Sequence, residues 1–325
     1  MNEIVISGIG AYVPSNIVTN DDLSKIVETS DEWIFGRTGI KERRISKEED
    51  TSEIAIKAAN AALKSSGIKP DEIDILIVAT ITPDMFTPSV ACMVQKGIGA
   101  VNATAFDINA ACSGFIYSMQ VAEGMLKSFN YKNALIIGAE VLSKIIDWTD
   151  RSTCVLFGDG AGAVTLSKSN SIGIIKTFTK SKGEKWESLT AAARDVENPY
   201  IQNVQKKQKF INMNGRDIFK FATSIIQESV NKVLDETGYS LDDIKYIVPH
   251  QANVRIIDYA SKKLGVEENR FYVNLHRIGN TSSASIPIAL NEMYEKGLLE
   301  NGNKIILVGF GGGLTYGSVL IEWKK

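Results

Sequence analysis

The chain has 325 residues, 44% hydrophobic and 23% charged, the balance of an ordinary globular protein with a sizeable core, which excludes a disordered chain. Its 36 Lys and Arg against 38 Asp and Glu give a formal net charge of −2, so no chain-wide basic field attracts nucleic acid, and any surface for an anionic partner must be local. Three cysteines, Cys92, Cys112 and Cys154, are too few and too scattered for a disulfide framework or a Cys-x-x-Cys metal site, which predicts a reducing, cytoplasmic setting.

No cationic flank precedes an apolar run at the N-terminus, so no export signal is expected. In chain order, residues 3–7 form a β-branched run, and residues 51–66 carry an amphipathic helical pattern closed by Gly67. Predicted strands at 73–79, 103–108 and 133–138 then alternate with helices at 89–98 and 114–128, and 161–166 opens a further β stretch. A second series follows: helix 215–238, strand 246–249, helix 253–264, strand 271–275, helix 282–298 and strand 304–309. The uncharged run 305–321 has 17 residues and five glycines, which suits a buried strand-turn-strand rather than a membrane helix of about 20 residues. The alternation is α/β patterning. The two series repeat one order of elements without repeating a sequence, and no low-complexity linker parts them, so two halves, 1–170 and 171–325, are expected to pack as one body.

Cys112 lies in Asp107-Ile108-Asn109-Ala110-Ala111-Cys112-Ser113-Gly114, where a strand gives way to a helix of small residues. Free N–H groups at a helix N-terminus favour thiolate, so this cysteine is a candidate nucleophile; the alternative is a buried core residue. His250 ends the strand before Gln251-Ala252-Asn253, the sheet edge at which α/β proteins place sites, while His276 has no such setting and reads as structural. Two histidines without a His-Glu-x-x-His pattern predict no metal site. Asn280 stands in Gly279-Asn280-Thr281-Ser282-Ser283-Ala284-Ser285, as either a functional amide or an Asx turn. The glycines of Gly309-Phe310-Gly311-Gly312-Gly313 permit close backbone approach, and thus an oxyanion hole or simply a tight turn. Gly8-Ile9-Gly10 and Gly158-Asp159-Gly160-Ala161-Gly162 lack the context of a dinucleotide fingerprint, so no nicotinamide cofactor is inferred.

Taken together, the segments around Cys112, His250-Gln251-Ala252-Asn253, Gly279-Asn280-Thr281-Ser282 and Gly309–Gly313 resemble the β-ketoacyl-acyl-carrier-protein synthase III family. Glu32-Trp33-Ile34, Arg37-Thr38-Gly39-Ile40, Asp150-Arg151 and the run 157–162 extend the resemblance over nearly the whole chain. It implies a thiolase-like five-layer αβαβα fold of two pseudo-equivalent halves, the first carrying the cysteine and the second the histidine and asparagine, usually as a homodimer. It implies that Cys112 takes an acyl group from an acyl-CoA, with the N–H groups of Cys112 and Gly312 as oxyanion hole. Malonyl-acyl-carrier protein then loses CO2 while His250 and Asn280 hold the enolate oxygen. By the same resemblance Trp33 and Arg151 sandwich the adenine, Arg37 meets the CoA phosphates, and Asn253 bonds the pantetheine. Lys220, Gln251, Arg255, Lys262 and Lys263 would dock the acidic carrier protein. No cofactor or metal is implied, CoA and the carrier's phosphopantetheine being substrates.

Thr87 departs from the pattern: many straight-chain members carry Phe immediately before Pro88, and here Phe86 stands one place earlier. The position faces the partner's acyl pocket in the family, so a smaller side chain implies a primer longer or more branched than acetyl. Three other readings compete. A papain-like protease shares the order Cys, His, Asn but lacks Cys-Gly-Ser-Cys-Trp. A condensing enzyme of specialised metabolism would carry the same three residues, and a non-catalytic carrier-binding scaffold would not need them.

Overall fold

The computed structural model describes residues 3–201, 204 and 206–324. Its principal strands are β1 (Glu3–Tyr12), β2 (Ile75–Ala79), β3 (Thr104–Ile108), β4 (Asn133–Glu140), β5 (Gly160–Ser169), β6 (Ile174–Ser181), β7 (Ile244–Pro249), β8 (Lys304–Gly311) and β9 (Thr315–Glu322). The longer helices are α1 (Asp31–Thr38), α2 (Thr51–Ser66), α3 (Val90–Ile98), α4 (Gly114–Ser128), α5 (Gly215–Asp235), α6 (Val254–Leu264) and α7 (Ser285–Glu295). One sheet runs β1-β5-β4-β2-β3 and the other β6-β9-β8-β7. Each begins with two antiparallel pairs and continues with parallel pairing. The duplication expected from element order is therefore present in the strand topology.

Strand periodicity explains the layers. Successive side chains point to opposite faces, so Ile75 and Ile77 of β2 join Ile305 and Leu307 of β8 in a central core with Phe115 and Met119 of α4 and Leu290 of α7. Leu76 and Val78 face outward against α2 and α3. Ile306 and Val308 do the same against α5 and α6. Both faces of each sheet are covered, as parallel pairing requires, giving the five layers of a thiolase-like fold: α2 and α3, sheet, α4 and α7, sheet, α5 and α6. No helix among the described residues is long and apolar enough to cross a membrane.

Two sequence expectations fail locally. Residues 271–275 do not form a strand: Phe271 makes one parallel bridge to Ile247, and Leu275–Ile278 is a short helix. The Gln251 side chain supplies what a neighbouring strand would, donating to Tyr272 O at 3.0 Å and accepting from Asn274 N at 3.0 Å. Strand β6 was not foreseen, because Lys176, Thr177, Thr179 and Lys180 interrupt its apolar residues and only pairing with β9 organises it.

Candidate functional site

Cys112 sits in a tight turn, Ala111–Ser113, that feeds directly into α4. Ala111 adopts φ 46°, which turns the chain sharply and presents the cysteine at the helix start. The end of β8 closes over this turn. A Cβ on Gly311 would lie 2.8 Å from both Cβ and N of Cys112, so the glycine is required by contact between the two halves, and the simple tight-turn reading of the run 309–313 is insufficient. Gly312 lies beside the thiol, lining one cavity with it.

His250 directly follows β7, its N–H bonded to Val308 O at 2.8 Å. Its ring packs edge-on to Phe310 at 5.2 Å, and Nδ1 meets Ser285 Oγ at 2.7 Å. Asn280 is clamped by its backbone between Leu156 O and Gly158 N, and Gly158 is glycine because a Cβ there would approach Ile278 O to 2.4 Å. The Asn280 Oδ1 accepts from Ser282 N at 2.9 Å. The Asx turn and the functional amide are thus the same residue: the turn occupies the oxygen and leaves Nδ2 as a donor.

The three side chains share one cavity of about 410 Å³, together with Trp33, Arg37 and Asn253. A second cavity, about 760 Å³ and mainly apolar, reaches Cys112 from the other side, lined by Ile81, Leu142, Phe157, Leu189, Ile211 and Ser282 among others. The thiol therefore stands where a polar-mouthed channel meets an apolar chamber.

Burial controls the ionisation of the pair. Cys112 is 6% exposed, and desolvation pushes its thiol up to about 12. Burial thus opposes the thiolate that the helix N-terminus favours. Desolvation also drives His250 down to about 3, so its imidazole is neutral. Glu140, fully buried at the end of β4, is likewise raised by desolvation. Its Oε2 accepts from Thr82 Oγ1 at 2.6 Å, Thr80 Oγ1 at 3.2 Å and Ile81 N at 3.1 Å. Its Oε1 lies 3.0 Å from Ser283 Oγ, whose hydrogen is directed to Ala79 O at 2.8 Å. A proton on Oε1 completes this pattern, making Glu140 a neutral acid that ties the Asn280 segment to β2.

At the mouth, Trp33 is flanked by two guanidinium groups, Arg37 at 5.2 Å and Arg151 at 4.8 Å from the ring centroid. Arg151 also donates to Glu28 O at 2.9 Å. The adenine sandwich is therefore not preformed: Arg151 occupies the face a base would take. Asn253 caps α6 through its oxygen to Arg255 N at 2.9 Å and donates to Arg37 O at 3.0 Å, joining α1 to α6. Arg255, Lys262 and Lys263 on α6 and Lys220 on α5 are exposed. Gln251 does not belong with them: it is 1% exposed, with both ends of its amide bound as described above, so it shapes the loop after His250 and presents nothing to a partner. Thr87 is exposed beside Phe86 and lines neither Cys112 cavity of its own chain.

Sequence reasoning missed Ser282, Ser285 and Glu140. The serines belong to the polar run already noted around Asn280, and Glu140 is the one charged residue closing the apolar strand 133–140.

The layered fold with a cysteine, a histidine and an asparagine converging at the junction of its halves defines a thiolase-like condensing enzyme. Two family profiles match the chain: 3-oxoacyl-[acyl-carrier-protein (ACP)] synthase III over residues 106–183, and the C-terminal part of the same synthase over residues 234–323. The β-ketoacyl-[acyl-carrier-protein] synthase III of Clostridium beijerinckii is 57% identical over 323 residues, covering 99% of this chain and 100% of its own. That of Clostridium novyi is 59% identical over the same span and coverage. The crystal structure of 3-oxoacyl-[acyl-carrier-protein] synthase III from Aquifex aeolicus VF5 superposes with a TM-score of 0.93 at 45% identity, covering 98% of this chain and 100% of the other. The chain belongs to the β-ketoacyl-acyl-carrier-protein synthase III family.

Proposed function

We propose that the enzyme catalyses the initiating condensation of fatty-acid synthesis, joining an acyl-CoA primer to malonyl-acyl-carrier protein. The observation that carries this is the meeting of Cys112, His250 and Asn280 in one cavity whose mouth is basic and aromatic. In the first half-reaction the sulfur of Cys112 attacks the thioester carbonyl, a new C–S bond forms, and CoA leaves as the thiol with the proton from Cys112. The backbone N–H groups of Cys112 and Gly312 would hold the tetrahedral oxyanion; one such donor typically contributes about 2.7–4 kcal/mol. In the second, malonyl-acyl-carrier protein loses CO2 and the electron pair of the broken bond becomes an enolate. A neutral imidazole and an amide N–H can hold that oxygen without surrendering a proton prematurely. The carbanion then attacks the acyl-cysteine, the C–C bond forms as the C–S bond breaks, and the expelled Cys112 thiolate takes up a proton from solvent to return the thiol, with 3-oxoacyl-acyl-carrier protein as product.

Trp33, Arg37, Arg151 and Asn253 would receive CoA, and Lys220, Arg255, Lys262 and Lys263 would dock the carrier protein. No resident metal or cofactor takes part in this scheme. The apolar chamber of about 760 Å³ supports a primer larger than acetyl, with Thr87 of a second copy completing its wall in a homodimer. A nucleophilic free thiol needs a reducing compartment, which supports a cytoplasmic setting. We keep residues 1–170 and 171–325 as the two halves, carrying the nucleophile and the two donors respectively.

The test uses radiolabelled acyl-CoA. Wild-type protein should acquire label on Cys112, Cys112→Ser should not, and His250→Ala should label yet fail to decarboxylate malonyl-acyl-carrier protein. Equal labelling of wild type and Cys112→Ser would refute the scheme. A panel of acetyl-, isobutyryl- and octanoyl-CoA reads primer choice, strict acetyl preference contradicting the wide chamber.

A further inference from the structure

The role given to His250 requires its hydrogen on Nε2, the nitrogen that faces substrate, and a neutral imidazole in a closed site has no intrinsic reason to keep it there. Nδ1 has a single hydrogen-bond partner among the described residues, Ser285 Oγ at 2.7 Å. The direction of that bond follows from what else surrounds the hydroxyl. Gln251 N–H points to Ser285 Oγ at 3.4 Å, so the oxygen already has a donor directed at it, and its own hydrogen has no described acceptor other than Nδ1. Both residues are buried, His250 at 1% and Ser285 at 2% exposure, so water does not compete for either group.

We propose that Ser285, at the start of α7, is a positioning residue that donates to His250 Nδ1 and thereby locks the imidazole in the form that carries its hydrogen on Nε2, a donor toward the cavity shared with Asn280 and Cys112. The inference deepens the proposed function and rests on it for its catalytic consequence, though not for the tautomer itself. Two results follow. His250 meets the enolate oxygen as a donor from the outset. It also has no free lone pair facing Cys112, so in the resting enzyme it cannot act as base toward the thiol, and acylation and decarboxylation become separable functions of the site. The neighbouring amide of Gln251 takes part through the same hydroxyl, which gives the buried Gln251 a reason to be rigid: its side chain, tied to Pro249 O at 2.8 Å and Tyr272 O at 3.0 Å, holds the segment whose N–H orients the serine.

The chain contains only two histidines, which makes imidazole nitrogen NMR direct. In protein labelled with ¹⁵N-histidine, with His276→Gln used to assign the signals, His250 Nδ1 should be pyridine-like and Nε2 pyrrole-like at neutral pH. Ser285→Ala should move both signals toward a mixture of tautomers. It should also slow malonyl-acyl-carrier protein decarboxylation about ten- to a hundredfold while acylation of Cys112 from acyl-CoA stays within about threefold; Ser285→Thr, which retains the hydroxyl, should restore the wild-type signals. A hydrogen on Nδ1 in the wild type would overturn the proposal without any variant being needed. So would a Ser285→Ala protein with unchanged signals, or one that loses acylation and decarboxylation equally. Failure of the wild type to decarboxylate malonyl-acyl-carrier protein at all would instead strike the proposed function, leaving the nitrogen signals to judge the serine.

Discussion

The reactivity of Cys112 is set by a contest between burial and the helix start, and the magnitudes decide it. Raising the thiol from 9.0 to about 12 disfavours the thiolate by about 4 kcal/mol. A helix N-terminus returns roughly 0.3–1 kcal/mol, about 2 at most, so burial wins. At pH 8 about one molecule in ten thousand then holds the thiolate, against about one in ten for a thiol at 9.0. Iodoacetamide alkylation resolved by peptide mass spectrometry reads this directly, with the exposed Cys92 as internal reference for the reagent. The Cys112 rate should climb about tenfold per pH unit from 6.5 to 10 and never level off. His250→Ala should leave the slope unchanged, because a neutral, Nε2-protonated imidazole takes no proton from the thiol. A plateau below pH 9 would refute the reasoning, showing the anion to be the resident form and the helix terminus to outweigh burial.

Gly311→Ala places a methyl 2.8 Å from Cys112 N and Cβ, so it should cost about 1–3 kcal/mol in urea denaturation and slow acyl transfer at least about tenfold. At φ 179° the backbone at Gly311 suits any residue, so the loss measures contact alone; retained activity would show that the two halves have slack there. Glu140→Gln should grow more stable relative to wild type as pH rises from 5 to 9. The carboxyl is raised in the folded state, so the native protein binds more protons than the unfolded chain above 4.5, and stability falls with rising pH by up to about 1.4 kcal/mol per unit; the amide has no such dependence, and a constant difference would contradict a buried neutral acid. Arg151→Ala should raise the KM for acyl-CoA about two- to fivefold, the worth of one exposed cation–π contact of about 0.5–1 kcal/mol, with kcat held. Lys262→Glu with Lys263→Glu should raise the KM for malonyl-acyl-carrier protein in low salt and lose that effect as salt is added, while acylation by acyl-CoA is unmoved.

What could be read from the chain and what could not divide along a physical line. Cys112, His250 and Asn280 were legible as candidates because each lies where a regular element ends in small or polar residues, and the family resemblance, rather than local chemistry, decided between their alternatives. The layers were legible for a similar reason: Ile75 and Ile77 against Leu76 and Val78 is a period of two written in the residues themselves. The failures all depend on partners distant in sequence. Whether 271–275 becomes a strand is decided by an amide side chain twenty residues earlier, and β6 gains its identity only from β9.

The same division explains why the chemistry of the site was half right. A helix start is local, so its pull on Cys112 could be foreseen, but desolvation depends on what packs over the turn from far along the chain, the end of β8 among it, and is the larger effect. Burial makes both members of the pair neutral in the resting enzyme, and a neutral imidazole is what the second half-reaction needs: a charged one could protonate the enolate before it reached the acyl-cysteine. The cost falls on the first half-reaction, where the thiol must be deprotonated during acyl transfer itself. The site is thus tuned to decarboxylation, with Glu140 kept neutral and Ser285 directing the imidazole proton. Conditions that raise the thiolate population should accelerate acylation more than condensation.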